Sequence, residues 1–170
     1  NMSSLVFDSG HYGLSLILGG AEGKLIEMSS MYASLARVLI SFNNTFDYSY
    51  SDYGVASYLN SQKVQVRDGQ KVISAAAIYN TFEALSQVNR PISEKGWKAF
   101  SSARKIAWKT GTSFGNKDAW AVGTTPKYVV GVWAGNADGE GRTGLTGVSV
   151  AAPIMFEIYN LLGSTSWFQE

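Results

Sequence analysis

Arg104-Lys105-Ile106-Ala107-Trp108-Lys109-Thr110-Gly111-Thr112-Ser113 is followed by Asp118-Ala119-Trp120-Ala121-Val122-Gly123 and then by Val130-Gly131-Val132-Trp133-Ala134-Gly135-Asn136. Three apolar runs, rich in valine and tryptophan and separated by short turns at Gly115-Asn116 and Thr125-Pro126, read as an antiparallel meander. The strands are expected near 105–112, 118–124 and 127–134.

Helices are expected on either side of this block. Downstream, a glycine-rich loop from Gly135 to Gly147 leads to a last helix over about Ser149 to Leu162. Pro153 is tolerated in its first turn, where the missing N–H has no intrahelical partner, and Gly163 ends it. Upstream, Ser74 caps a helix carrying Ala75, Ile78, Phe82 and Leu85 on one face, with Asn89-Arg90-Pro91 as its stop. Residues 91–104 read as loop, anchored by Trp97 and Phe100, and Val64, Val66, Asp68-Gly69 and Val72 as a short hairpin. Leu25, Met28, Tyr32, Leu35, Leu39 and Phe42 recur at helical spacing up to Asn43-Asn44. Gly13-Leu14-Ser15-Leu16-Ile17-Leu18-Gly19-Gly20 leads into that helix, and the tyrosine-rich stretch 43–60 takes no assignment. The whole is α+β, an antiparallel sheet flanked by helices.

Composition narrows the chemistry. The 170 residues make one domain or a large part of one, with 45% hydrophobic and 16% charged residues. The net charge is +1 and the basic residues form no stripe, so nucleic acid is not an expected partner. Cysteine is absent and His11 is the single histidine, which removes thiolate chemistry and argues against a His-based metal site or a Ser-His-Asp triad. Neither a metal nor a cofactor is expected. No uninterrupted run of about 18 apolar residues occurs, so no membrane segment is expected. The chain shows no signal peptide, and its Asn1 start suggests an excised or processed chain.

Lys109-Thr110-Gly111-Thr112-Ser113, with the two blocks that follow it, resembles the core of the transpeptidase domain of class A penicillin-binding proteins of the 1C type. Gly13-Leu14-Ser15-Leu16 through Glu22 resembles the segment those enzymes carry after their Ser-x-Asn motif, and Ala151-Ala152-Pro153 the start of their last helix. The likeness covers most of the chain except the tyrosine-rich stretch. It implies residues 1–170 as the C-terminal part of such a domain, a partial fold of the penicillin-binding and serine beta-lactamase kind. The implied activity is that of a serine D,D-transpeptidase cross-linking peptidoglycan stem peptides through an acyl-enzyme that penicillins trap. Peptidoglycan stem peptide and beta-lactams are its implied partners, and the periplasmic face of the bacterial inner membrane its place. The same resemblance assigns Lys109 an electrostatic catalytic role. By it Thr110 and Thr112 would bind the substrate's terminal carboxylate through their hydroxyls, the Thr112 N–H would serve the oxyanion hole, and Gly111 would leave room for a close backbone. Strand alternation sets Lys109 on the face opposite the two threonines, which either a bulge or an edge-on substrate would reconcile.

The nucleophile has no credible place in this chain. Ser102-Ala103-Arg104-Lys105 fits Ser-x-x-Lys but runs straight into the Lys109 strand, and Ser41-Phe42-Asn43 fits Ser-x-Asn at the end of a helix. Gly139-Glu140-Gly141-Arg142-Thr143-Gly144 matches a dinucleotide fingerprint without the parallel strand and acidic residue that fold needs. His11 reads as surface or packing, and Trp108, Trp120 and Trp133 as core rather than a sugar platform. Two functions stay open: an enzyme fragment inactive alone, or a non-catalytic module binding cell-wall peptide or a protein. The last strand, lacking the neighbour it has in the implied five-stranded sheet, invites a homodimer or a swapped assembly.

Overall fold

A computed structural model describes residues 2–54, 56, 69–94, 96 and 104–169. Strands β1 (Ala107–Thr112), β2 (Asp118–Thr124) and β3 (Val129–Gly135) form one antiparallel sheet in that order. Its register runs without interruption, Ala107 opposite Thr124 through Thr112 opposite Ala119, and Asp118 opposite Gly135 through Thr124 opposite Val129. The helices are α1 (Ser9–Tyr12), α2 (Leu25–Thr45), α3 (Ala75–Ser86) and α4 (Ala152–Leu161). The fold is α+β, as the sequence predicts.

Period-two alternation divides the sheet's side chains between two cores. Trp108, Ala119, Ala121, Val130 and Val132 face α4 and pack with Met155, Phe156 and Tyr159. The Trp108 ring meets Phe156 edge-on at 5.1 Å, and the buried Tyr159 hydroxyl donates to the Tyr128 carbonyl at 3.2 Å. On the opposite face, Ala107 joins Val38 and Leu39 of α2, Ile78 and Phe82 of α3, and Phe168 from the C-terminal tail. Three glycines let backbone and helix approach closely. A Cβ at Gly123 would sit 2.8 Å from both Met155 Sδ and Tyr159 Cε2, and Gly131 lies directly beneath Leu25 and Ser29 of α2. Gly147 is the third and belongs to the candidate site.

Local chemistry sets the helix ends. The Ser74 hydroxyl accepts from the Ala77 N–H at 3.2 Å, the predicted cap of α3. That helix stops at Ser86, three residues before the expected Asn89. Phe46 in the left-handed region (φ 57°) closes α2. The final helix begins earlier than expected, in a wide turn over Gly147–Ala151 continuous with α4, because Thr146 and not a later residue is its cap.

Several expectations need correction. Trp108 is fully buried, but Trp133 is 40% exposed and Trp120 half-buried, because α2 covers only part of the face they share. Counting uninterrupted apolar residues misses α2, which is long and apolar enough to cross a bilayer by length and composition. Here its Ala36, Val38 and Leu39 are buried against α3. Gly13–Leu18 forms a 3-10 turn with Leu14, Ile17 and Leu18 exposed. The unassigned tyrosine-rich stretch contains a 3-10 turn over Tyr50–Tyr53, and the Tyr48 and Tyr53 hydroxyls both donate to the Ile73 carbonyl, at 3.0 and 2.9 Å. Val64, Val66, Trp97, Phe100 and Ser102 lie outside the described residues.

Candidate functional site

The site is built on the outer edge of β1. The Ser113 N–H donates to the Asp118 carbonyl at 3.0 Å. Antiparallel alternation therefore makes Ala107, Lys109, Gly111 and Ser113 the residues whose backbone groups bond to β2. The N–H and C=O of Thr110 and of Thr112 point the other way, out of the sheet. Among the described residues, no backbone group from another element bonds to them. The Lys109 ammonium donates to the Thr110 carbonyl at 2.5 Å.

Continuous register rules out a bulge at the motif, so the alternation expected from the sequence is the observed geometry. Thr110 and Thr112 lie on the α4 face and Lys109 on the other, beside Gly111. The three side chains meet at the edge, where Lys109 curls round from its own face. Lys109 and Thr112 are exposed and Thr110 is half-buried. Gly111 has ordinary room: a Cβ there would stand 3.5 Å from Trp120 Cβ.

Two further groups hold this edge, and the sequence reading gives neither a role in the site. The Gly147 N–H donates to Thr112 Oγ1 at 3.0 Å. Its signal in the sequence is the Thr146-x-x-Ser149 box, whose Thr146 hydroxyl accepts from the Ser149 N–H at 3.2 Å. At the hairpin tip, Asp118 accepts from the Ser113 hydroxyl (2.8 Å) and from Trp133 Nε1 (2.9 Å), which ties the ends of all three strands together. The Arg142 N–H donates to the Asn116 carbonyl at 3.0 Å and seats the glycine-rich loop on the same tip.

The accidental motifs sort themselves structurally. The Ser41 hydroxyl donates to Asp52 at 2.9 Å and ties α2 to the tyrosine-rich turn. Gly139 and Gly144 take positive φ in a loop that precedes the helix, and among the described residues no strand runs parallel to another. His11 is exposed and stacked on Phe7 at 4.1 Å. Lys105 pairs with Glu83 and lies over the Trp167 ring. A cavity of about 380 Å³ opens between α2 and the β2–β3 turn, lined by Ile26, Ala33, Arg37, Tyr128 and Val129; none of the motif residues borders it.

The chain is 33% identical over 153 residues to penicillin-binding protein 1C of Escherichia coli (strain K12), a match covering 90% of this chain and 18% of that protein. It is 29% identical over 142 residues to penicillin-binding protein 1A of Mycobacterium tuberculosis, covering 74% of this chain and 15% of that protein. A shorter match, 41% over 66 residues, joins it to penicillin-binding protein 1A of Rickettsia typhi. The chain thus spans about a fifth or less of the length of the relatives it matches over most of its own. No protein-family model and no solved structure matches it.

Proposed function

We infer function from one premise: this chain is related to a segment of the penicillin-binding proteins. We propose that it carries the substrate-binding strand of a serine D,D-transpeptidase that joins peptidoglycan stem peptides on the extracytoplasmic side of a bacterial membrane. The observation supporting this is the outer edge of β1 at Thr110 and Thr112, whose backbone groups take no backbone partner from another element among the described residues. An extended peptide adds to such an edge through main-chain hydrogen bonds. Its terminal carboxylate then meets the Thr110 and Thr112 hydroxyls, and the outward Thr112 N–H is one oxyanion donor. A donor of that kind is worth about 3–4 kcal/mol in the transition state. A substrate held edge-on spans both faces of the strand, so Lys109 sits within its reach without a bulge. The reading assigns the nucleophile to no residue of this chain.

Three charge-assisted hydrogen bonds at about 2 kcal/mol each give about 6 kcal/mol gross. Association costs at least about 4 kcal/mol. The remaining 2 kcal/mol or so corresponds to a dissociation constant of tens of millimolar. The test is an NMR titration of the ¹⁵N-labelled chain with N-acetyl-D-alanyl-D-alanine in that range. The Thr110 and Thr112 amides should shift and those of Lys109 and Gly111 much less, with no response to the L,L-peptide. Absent or indiscriminate shifts refute the reading.

The backbone groups of Val129, Gly131, Trp133 and Gly135 point away from β2 at the sheet's other margin, which supports pairing of β3 with a second copy. Light scattering that shows a monomer at high concentration refutes that part.

A further inference from the structure

We propose that Gly147 is a positioning residue, whose N–H fixes the Thr112 hydroxyl as a hydrogen-bond donor aimed at a bound carboxylate. This rests on the reading of β1 above and adds a residue 35 positions away to it.

A threonine hydroxyl has one proton to donate and two lone pairs to accept with, and it rotates to suit its surroundings. At Thr112 one lone pair is committed to the Gly147 N–H at 3.0 Å. The proton must then point away from Gly147. Among the described residues no acceptor takes it, and Thr112 is exposed. The hydroxyl is thus left as an outward donor at the margin where the Thr112 N–H also points. Its β-branched side chain has little χ1 freedom, so the orientation is set before any ligand arrives.

Only glycine at 147 permits this. A Cβ there would lie 2.5 Å from the Trp120 carbonyl oxygen, 2.6 Å from the Gly111 carbonyl oxygen and 2.8 Å from Thr110 Cβ. The first two are sheet backbone and the third is the branch point of a strand side chain, so none of them yields by a rotamer change. The turn is also held from behind. Thr146 and Ser149 cap each other, and Ser149 Oγ donates to the Gly144 carbonyl at 2.8 Å. The same turn continues into α4, whose Met155, Phe156 and Tyr159 are locked in the core. The donor is therefore preorganised by the fold, and the ligand is spared the ordering cost.

The experiment follows the Gly147 amide by NMR in the full chain, in Thr112→Ser, which keeps the oxygen, and in Thr112→Val, which removes it at nearly the same shape. Without peptide, the Gly147 proton should move upfield and exchange about tenfold faster in Thr112→Val only, as loss of one hydrogen bond implies. On titration with N-acetyl-D-alanyl-D-alanine, the same proton should move downfield in the parent chain and Thr112→Ser, because a hydroxyl that donates becomes a better acceptor. Thr112→Val should show no such movement, and the C-terminal amide of the peptide a smaller one. A merely structural bond would not respond to the ligand. Shifts at Thr110 and Thr112 with a stationary Gly147 amide overturn this inference alone. A chain whose β1 amides ignore the peptide overturns the functional reading and this inference with it.

Discussion

Alanine placed at two glycines on neighbouring strands should move stability in opposite directions. Gly123, on β2, faces α4: the new methyl would stand 2.8 Å from Met155 Sδ, 2.8 Å from Tyr159 Cε2 and 3.2 Å from Ile106 Cγ2. Met155 is flexible, but Tyr159 is a buried ring pinned by its hydroxyl to the Tyr128 carbonyl, so the helix must lift or the sheet bend. Overpacking of this kind costs about 1–3 kcal/mol. For a chain of this length each kcal/mol is worth about 2–4 °C in Tm, so a mid-range cost of about 2 kcal/mol lowers it by about 4–8 °C. Gly111, on β1, offers a Cβ ordinary contact with Trp120 Cβ at 3.5 Å, and its φ lies outside the left-handed region. Gly111→Ala should therefore gain about 0.4–1 kcal/mol through the unfolded state and raise Tm by about 1–4 °C. Thermal unfolding followed by circular dichroism reads both. A Gly111→Ala variant that melts several degrees lower shows that the glycine holds the strand together, and refutes the assignment of its small size to the ligand.

Other consequences are simpler to check. The Lys105 ammonium, and then Trp167 Nε1–H, hold the Glu83 carboxyl below its ordinary value of 4.5. A carboxylate depressed on folding adds stability above its unfolded pKa and loses it as pH falls through the folded one. The Tm gap between the parent chain and Glu83→Gln should thus be full near neutrality and narrow as pH falls below the ordinary carboxyl value of 4.5; a gap that does not narrow on acidification contradicts the ion pair. Ser74→Ala removes the cap of α3 and should cost about 1 kcal/mol, read as a Tm about 2–4 °C lower, whereas Ser74→Asp should restore it. Fluorescent penicillin should leave no label on the denatured chain, since the reading places no acylating serine in it; a band surviving denaturation would reverse that.

Much of the fold was legible because its signals are local. Period-two runs bounded by Gly115-Asn116 and Thr125-Pro126 located all three strands within two residues, and Ser74 located the start of α3. The misjudged tryptophans share one cause. Alternation tells which face of the sheet a side chain takes, not whether anything covers that face. Trp108 and Trp133 look alike in the sequence, yet one lies buried under α4 and the other is 40% exposed on the opposite face. The tyrosine-rich stretch was opaque for a related reason: its order comes from hydroxyls reaching Ile73 and from Arg37 donating to the Asp52 carbonyl at 3.1 Å, partners that no local pattern announces.

The same division runs through the site. Lys109, Thr110, Gly111 and Thr112 are consecutive and were legible together, but their arrangement is a property of the edge and not of the motif. An unbroken strand sends the ammonium and the hydroxyls to opposite faces, and no spacing within five residues alters that. They act on one ligand only if that ligand lies in the plane of the sheet, where both faces are within reach and where the Thr110 and Thr112 backbones already point. The Lys109 ammonium resting on the Thr110 carbonyl fits this geometry, since it occupies the acceptor that an added strand would use. A pairing peptide must therefore displace the ammonium from that carbonyl. Once displaced, the charge is free to face the anion that the peptide brings. Lys109→Met should on this account leave the edge more open to neutral extended peptides while weakening those that end in a carboxylate, a reversal of preference that a simple loss of charge at a distant surface would not produce.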